Sequence, residues 1–199
     1  RANAVVVGAG NVGENALKML VGLGANVTIL DVDFDKLNLL DDIYQNKVQT
    51  LYSNSSNLRK SISNADLVIG AISLPGLSTP KLIKQKYLKN MRPGSVIVDV
   101  AIDQGGSAET SRPTTHDNPT YVVDGVIHYA VANIPGAVPL TATQALNNAT
   151  SRYVNAIARL GVIEAIKSIP ELAKGANIIE GKVVNENVAK SLNLKFSQL

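Results

Sequence analysis

Short β-branched apolar runs alternate with stretches whose apolar residues recur every three or four positions, and this alternation along the first two thirds of the chain predicts a parallel sheet covered by helices. The runs place strands at Ala4–Val7, Val27–Asp31, Val48–Tyr52, Leu67–Ala71, Val96–Ala101 and Ile127–Val131. They are almost uninterrupted in apolar character, as strands become when both faces of a sheet are buried. Between the first two, Val12, Ala16, Met19, Leu20 and Leu23 fall at helical spacing, and Gly24 stands where a left-handed C-terminal cap belongs. Leu37, Leu40, Ile43 and Tyr44 predict the next helix, with Asp33 and Asp35 complementing the dipole at its start. Shorter helices are expected at Asn57–Ser63 and Lys81–Asn90, and Pro93-Gly94 marks the turn into the fifth strand.

From Thr141 the pattern changes. Ala145, Leu146, Ala149, Tyr153, Ala156, Ile157 and Leu160 predict one long amphipathic helix, with smaller helical pieces at Ile163–Lys167, Pro170–Lys174 and Asn185–Leu192. The tail offers no strand to the sheet. The expected organisation is a sheet domain over residues 1–140 and a helical segment over 141–199, without internal repeats or low-complexity linkers.

Composition narrows the class. Hydrophobic residues make up 45% and charged residues 18%, ordinary for a soluble globular chain. No apolar run approaches the roughly 20 residues a membrane span needs. The net charge of +3 comes from basic residues scattered along the chain, which argues against a nucleic-acid surface. The absence of cysteine excludes disulfides and thiolate metal sites and fits a cytoplasmic location. The chain opens on Arg1 and enters its first strand within about three residues, so an excised portion of a longer protein is expected.

The first strand runs into "GAGNVG", a G-x-G-x-x-G pattern that opens a helix. Gly8 makes the tight turn, Gly10 lets a pyrophosphate approach the backbone, and Gly13 allows close helix–strand packing, while Asn11 and Val12 lie in the first helical turn beside the phosphates. Such glycines are common on their own. Here the second strand also ends in an acid, Asp31, 18 residues beyond Gly13, where the dinucleotide fingerprint places the partner of the adenosine ribose. The expected fold is therefore a Rossmann-type, doubly wound, parallel six-stranded sheet that binds a dinucleotide. A carboxylate at Asp31 binds ribose hydroxyls but repels a 2′-phosphate, which favours NAD over NADP; Lys36, nearby in sequence, works against that preference. Further contacts are expected at the carboxyl ends of the strands: Ser53, Ile72 and Ser73, the Val100–Asp103 stretch including Ile102, and Asn133.

Asp103, in "VIVDVAIDQGG", sits where an apolar run meets two glycines. From the residues alone it either closes an Asx-type turn or faces a reacting centre. His116, in a turn-rich loop, and His128, in a strand, read as structural or surface residues rather than a general base, because neither has an orienting partner in sequence.

The stretches "GAGNVGENA", "VTILDVDFDKL", "ADLVIGAI", "PGSVIVDVAIDQGG", "RPTTHDNPTY", "HYAVANIPGAVP" and "TATQALNNAT" resemble the alanine dehydrogenase family, specifically its NAD-binding domain and C-terminal segment. That resemblance implies interconversion of L-alanine with pyruvate and ammonia, with NAD as cofactor. It implies that Asp103 lies beside the nicotinamide in the active site, orienting the substrate amine or a water and stabilising a positive imine. It also implies that Asp31 holds the adenosine ribose and that Lys36, Ser53, Arg112 and the Val131–Ile134 run, with Val131, Asn133 and Ile134 themselves, line the cofactor. In the family a lysine, an arginine and a histidine from a preceding substrate domain complete the site; that half is not in this chain, and the tail beyond Leu160 resembles the segment that packs on it. Family members form homo-oligomers, commonly hexamers. The alternatives are the nucleotide domain of a proton-translocating transhydrogenase, against which Gln104 and "VANIPGAVP" stand, and an NAD-sensing module that acts through a protein contact.

Overall fold

A computed structural model of the chain describes residues 1–198. Its elements follow β1 (Asn3–Val7), α1 (Asn11–Gly22), β2 (Asn26–Asp31), α2 (Phe34–Tyr44), β3 (Val48–Tyr52), α3 (Ser55–Ser63), β4 (Leu67–Gly70), α4 (Gln85–Leu88), β5 (Val96–Asp99), β6 (Thr120–Val123) and β7 (Val126–Tyr129). The sheet order is β3-β2-β1-β4-β5-β7-β6. All six expected strands form and pair in parallel. A seventh, β6, is antiparallel to β7 and was not expected from the pattern. The Asp124-Gly125 pair joins β6 to β7 with positive φ at both residues, the backbone that a tight two-residue hairpin turn requires.

Alternation along β1 explains why both faces are covered. Val5 and Val7 join Leu30, Leu58, Ile62, Val68, Leu88 and Ile97 under α3 and α4. Ala4 and Val6 join Leu17, Leu20, Val27, Ile29, Leu37 and Leu40 under α1 and α2. Each buried Val, Leu or Ile among them contributes about 1.5–3 kcal/mol, so the two layers together fix the sheet in place.

Four local expectations change. On α1 the buried face is Gly13, Leu17 and Leu20, while Val12, Met19 and Leu23 are exposed. A glycine is invisible to hydropathy, yet the close approach at Gly13 sets which side of α1 meets the sheet. On α2, Leu37 and Leu40 are buried and Ile43 is exposed. The helix expected at Lys81–Asn90 shrinks to the single turn of α4, because Ile83 is extended, bridges Ala108 and exchanges backbone bonds with Ser107 and Glu109. Finally, β5 stops at Asp99, and Val100–Gln104 form a 3-10 turn rather than two more strand residues.

The chain divides into two compact units. Residues 1–74 and 79–133 form the sheet unit. The second contains residues 75–78 and the chain from Ile134 onward. It holds α5 (Pro139–Leu160), α6 (Val162–Ser168), α7 (Pro170–Gly175), a two-stranded ribbon of β8 (Ile178–Ile179) and β9 (Lys182–Val183), and α8 (Glu186–Leu192). Among the described residues the tail thus adds no strand to the main sheet but makes a ribbon of its own. None of the 22 residues of α5 is buried, and Leu140, Leu146, Val154 and Leu160 are exposed.

His128 lies in β7 at 1% exposure. Its Nδ1 lies 3.1 Å from the Val126 carbonyl and its Nε2 2.7 Å from the Thr110 hydroxyl, which fits a neutral ring that donates to the first and accepts from the second. Tyr121 stacks on it at 5.0 Å. Burial holds its pKa below the ordinary 6.5, so the unfolded chain binds the proton more readily. The resulting stability is complete above about pH 6.5 and is lost as pH falls through the depressed folded value. The urea midpoint should therefore drop between pH 7.5 and 5, and His128→Gln should flatten that limb.

A cleft at the carboxyl ends of the parallel strands

Register brings Val7 opposite both Leu30 and Gly70, and Gly70 opposite Asp99, so β1, β2, β4 and β5 all terminate at one rim. Within this parallel sheet, β2 lies on one side of β1 and β4 on the other, and ligands of doubly wound sheets settle outside the carboxyl ends at such a switch point. A cleft of about 510 Å³ opens there. Gly8, Gly10, Asn11, Val12, Asp31, Lys36, Ser53, Ile72 and Ser73 line it, together with Leu74 and Leu82. A more polar groove of about 930 Å³ runs along Asn3, Thr28, Gln49, Asn57 and Lys60, but it lacks the glycine turn, and the helix start it touches at Asn57 is already capped by the Asn54 side chain.

The glycine turn is built by contact. Gly8 has φ +105°, and a Cβ there would lie 2.7 Å from the Ala71 carbonyl oxygen. At Gly13 a Cβ would lie 1.8 Å from the Gly8 carbonyl oxygen. Gly10 is different: no atom lies within 4 Å of where its Cβ would be, so its backbone faces open space. It is also the N-cap of α1, and no side chain caps that terminus. Asp33 and Asn54, by contrast, cap α2 and α3 with their own side chains, each worth about 1 kcal/mol. The open N-terminus of α1 retains its partial positive charge for an anion.

Asp31 ends β2. One carboxylate oxygen accepts the Ala9 N–H at 2.5 Å and the other the Asp33 N–H at 2.9 Å. These bonds tie the glycine turn to β2 and leave acceptor capacity on both oxygens, since an ionised carboxylate has about four lone-pair sites.

The other expected contacts are arranged around the 3-10 turn after β5. Asp103 is exposed there, and the Asn133 N–H approaches its Oδ2 at 3.5 Å. Asn133 adopts φ +56°, a left-handed backbone that asparagine tolerates. The His116 Nε2 lies 3.2 Å from the Asn133 carbonyl. The side chain of Gln104 meets the Ser73 hydroxyl at 3.3–3.4 Å, joining this turn to the cleft wall. Arg112 is exposed, with its guanidinium 4.0 Å from the centre of the Tyr121 ring. Val100 is half-buried, whereas the side chains of Ile102 and Val131 are buried, so those two can offer only main-chain atoms to a ligand. Ile134 belongs to the second unit. The apolar wall residues Leu74 and Leu82 had no local signal in the sequence, because nothing about a leucine marks a cleft face.

Known proteins share this chain's sequence pattern and fold. A family profile described as "Alanine dehydrogenase/PNT, C-terminal domain" matches residues 1–186. An alanine dehydrogenase of Methanococcus maripaludis is 56% identical over 197 residues, covering 98% of this chain and 53% of that protein. One from Halomonas elongata is 50% identical, with 98% and 53% covered. The chain spans about half the length of the curated relatives it matches. Among solved structures, an L-alanine dehydrogenase superposes with a TM-score of 0.84 at 46% identity, covering 96% of this chain and 53% of that one. A transhydrogenase from Sinorhizobium meliloti superposes at 0.73 with 24% identity, covering 93% and 50%, a likeness of fold. With the profile matching nearly the whole chain, these 199 residues belong to the alanine dehydrogenase/PNT C-terminal domain family.

Proposed function

We propose that this chain is the NAD-binding portion of an alanine dehydrogenase, which interconverts L-alanine, NAD and water with pyruvate, ammonia and NADH. The observation that carries the reading is the cleft in which an uncapped helix N-terminus faces open space at Gly10 beside the carboxylate of Asp31. Those groups fit a dinucleotide: the N–H groups at the start of α1 hold the diphosphate, and Asp31 accepts hydrogen bonds from the adenosine ribose. A 2′-phosphate would meet the Asp31 charge, which favours NAD over NADP despite Lys36. NAD, when bound, supplies the hydride acceptor. Asp103 then faces the nicotinamide end, where its carboxylate orients the substrate amine or water and stabilises developing positive charge. Ser53, Ile72, Ser73, Arg112, Val131, Asn133 and Ile134 complete the cofactor contacts.

The proposal gives residues 1–140 to the nucleotide domain and 141–199 to a segment that belongs with the substrate domain. It assigns the grip on the substrate carboxylate to the part of the relatives that this chain does not cover. The exposed apolar side chains of α5 support a homo-oligomer, a hexamer by family likeness, and the lack of cysteine supports a cytoplasmic setting. The transhydrogenase reading rests on shared fold and family description, whereas the identities of 50% and 56% are to alanine dehydrogenases.

Fluorescence titration should give tighter binding of NADH than of NADPH; the reverse order would overturn the cofactor assignment. Joined to the upstream half of such a relative, the chain should support alanine-dependent NADH production. Persistent inactivity, with a protein partner captured only when NAD is bound, would instead mark a sensing module.

A further inference from the structure

The stretch that carries Asp103 contains a second carboxylate with a different environment. Asp99, the last residue of β5, is 1% exposed. Its two oxygens accept the Ser107 N–H at 3.0 and 2.7 Å, the Ser107 hydroxyl at 3.0 Å, the Ala108 N–H at 3.1 Å and the Ser111 hydroxyl. Four donor groups from one returning loop therefore converge on one buried side chain.

The backbone between is shaped to close this ring. Gly105 and Gly106 both have positive φ and hydrogen-bond back to Ile102 and Ala101. A Cβ on Gly106 would lie 2.9 Å from an Asp99 oxygen, and one on Gly70 only 2.0 Å from the Ser107 hydroxyl. Asp103 rides on the 3-10 turn inside the ring, and Arg112 directly follows its last donor. A buried carboxylate deprived of its donors is costly, so this bonding pattern strongly selects one loop conformation.

We infer that Asp99 is a positioning residue: by gathering Ser107, Ala108 and Ser111 it fixes the turn that presents Asp103 and the start of the segment that presents Arg112. The inference rests on the proposed dinucleotide site for its functional meaning, though not for its geometry. Asp99 touches no ligand; it acts through the loop.

Ser111→Ala removes one donor and leaves the carboxylate three others, so it should fold where Asp99→Asn does not. Amide exchange of the nucleotide-free chain should be about tenfold faster at Gly105, Gly106, Ser107 and Ala108, the scale of one charge-assisted bond, with β1 and β2 unaffected. Ser111→Thr, which keeps the hydroxyl, should restore protection. NADH affinity should fall about fivefold, within the reach of one such bond, while affinity for ADP-ribose, which lacks the nicotinamide, stays constant. Combined with Asp103→Ala, Ser111→Ala should add little further loss, because both act on one unit. Unchanged exchange in the loop, equal losses for NADH and ADP-ribose, or fully additive effects would each overturn the inference. If the parent chain binds neither nucleotide, the dinucleotide reading fails, and the exchange experiment still decides whether Asp99 sets the turn.

Discussion

Gly13→Ala is expected to abolish measurable NADH binding and to lower the urea midpoint sharply. The added methyl would sit 1.8 Å from the Gly8 carbonyl oxygen and 2.9 Å from its carbon, both backbone atoms that no rotamer change can move aside. Either α1 slides off β1 or the Gly8 turn is pushed away from Ala71. Overpacking typically costs about 1–3 kcal/mol, and contact this close with the main chain belongs at or above the top of that range. Because small domains have only about 5–15 kcal/mol of stability, the loss is visible in a denaturation curve. Gly22→Ala is the matched control at the end of the same helix: no other part of the chain lies within 4 Å of its Cβ position, and alanine there should be neutral or stabilising by less than about 1 kcal/mol. Parent-like NADH binding by Gly13→Ala would refute the role of close helix–strand packing in the site.

Asp31→Ala is expected to have the next largest effect, and to act on selectivity as well as affinity. It removes the acceptor for Ala9 N–H and Asp33 N–H, and with it the proposed ribose ligand. Hydrogen bonds to a charged group contribute about 1.5–3 kcal/mol, so NADH affinity should fall roughly 10- to 150-fold. NADPH should lose less, because the same change removes repulsion toward its 2′-phosphate, and the ratio of the two dissociation constants should move toward one. Parallel titrations with both nucleotides read this directly. An unaltered ratio would mean that Asp31 serves only to hold the glycine turn.

How much of this was legible in the sequence depends on whether the controlling contact is local. Gly8, Gly10 and Gly13 could be read because each marks a backbone demand by the absence of a side chain, and Asp31 because it closes the strand that follows. The inner parallel strands were legible for a similar reason, since burial on both faces leaves a nearly uninterrupted apolar run, whereas the edge strand β3, with Gln49 and Tyr52 exposed, was carried by its β-branched and aromatic residues. The end of β5 was not. Val100 and Ala101 continue the apolar pattern, but Asp99 is captured by donors 8–12 positions further on, and no window of periodicity contains that pull. The α1 stripe misled for the opposite reason: Val12, Met19 and Leu23 are apolar at helical spacing, yet the face is chosen by Gly13. β6 hid inside a turn-rich stretch, although Asp124-Gly125 between Val122-Val123 and Val126-Ile127 carried the hairpin signal. Leu82 reaches the cleft wall through an extended segment held by Ser107, a long-range pairing again.

The turn at Gly8–Ala9 is held from three sides: Gly8 N–H on the Leu30 carbonyl, Ala9 N–H on Asp31, and the Ala71 backbone close against Gly8. Its order is therefore acquired during folding, and on the proposed function an arriving diphosphate meets a rim already in shape. Association can then proceed as a single encounter limited by orientation, without a slow rearrangement step, so differences in affinity among related nucleotides should appear in how fast each one leaves.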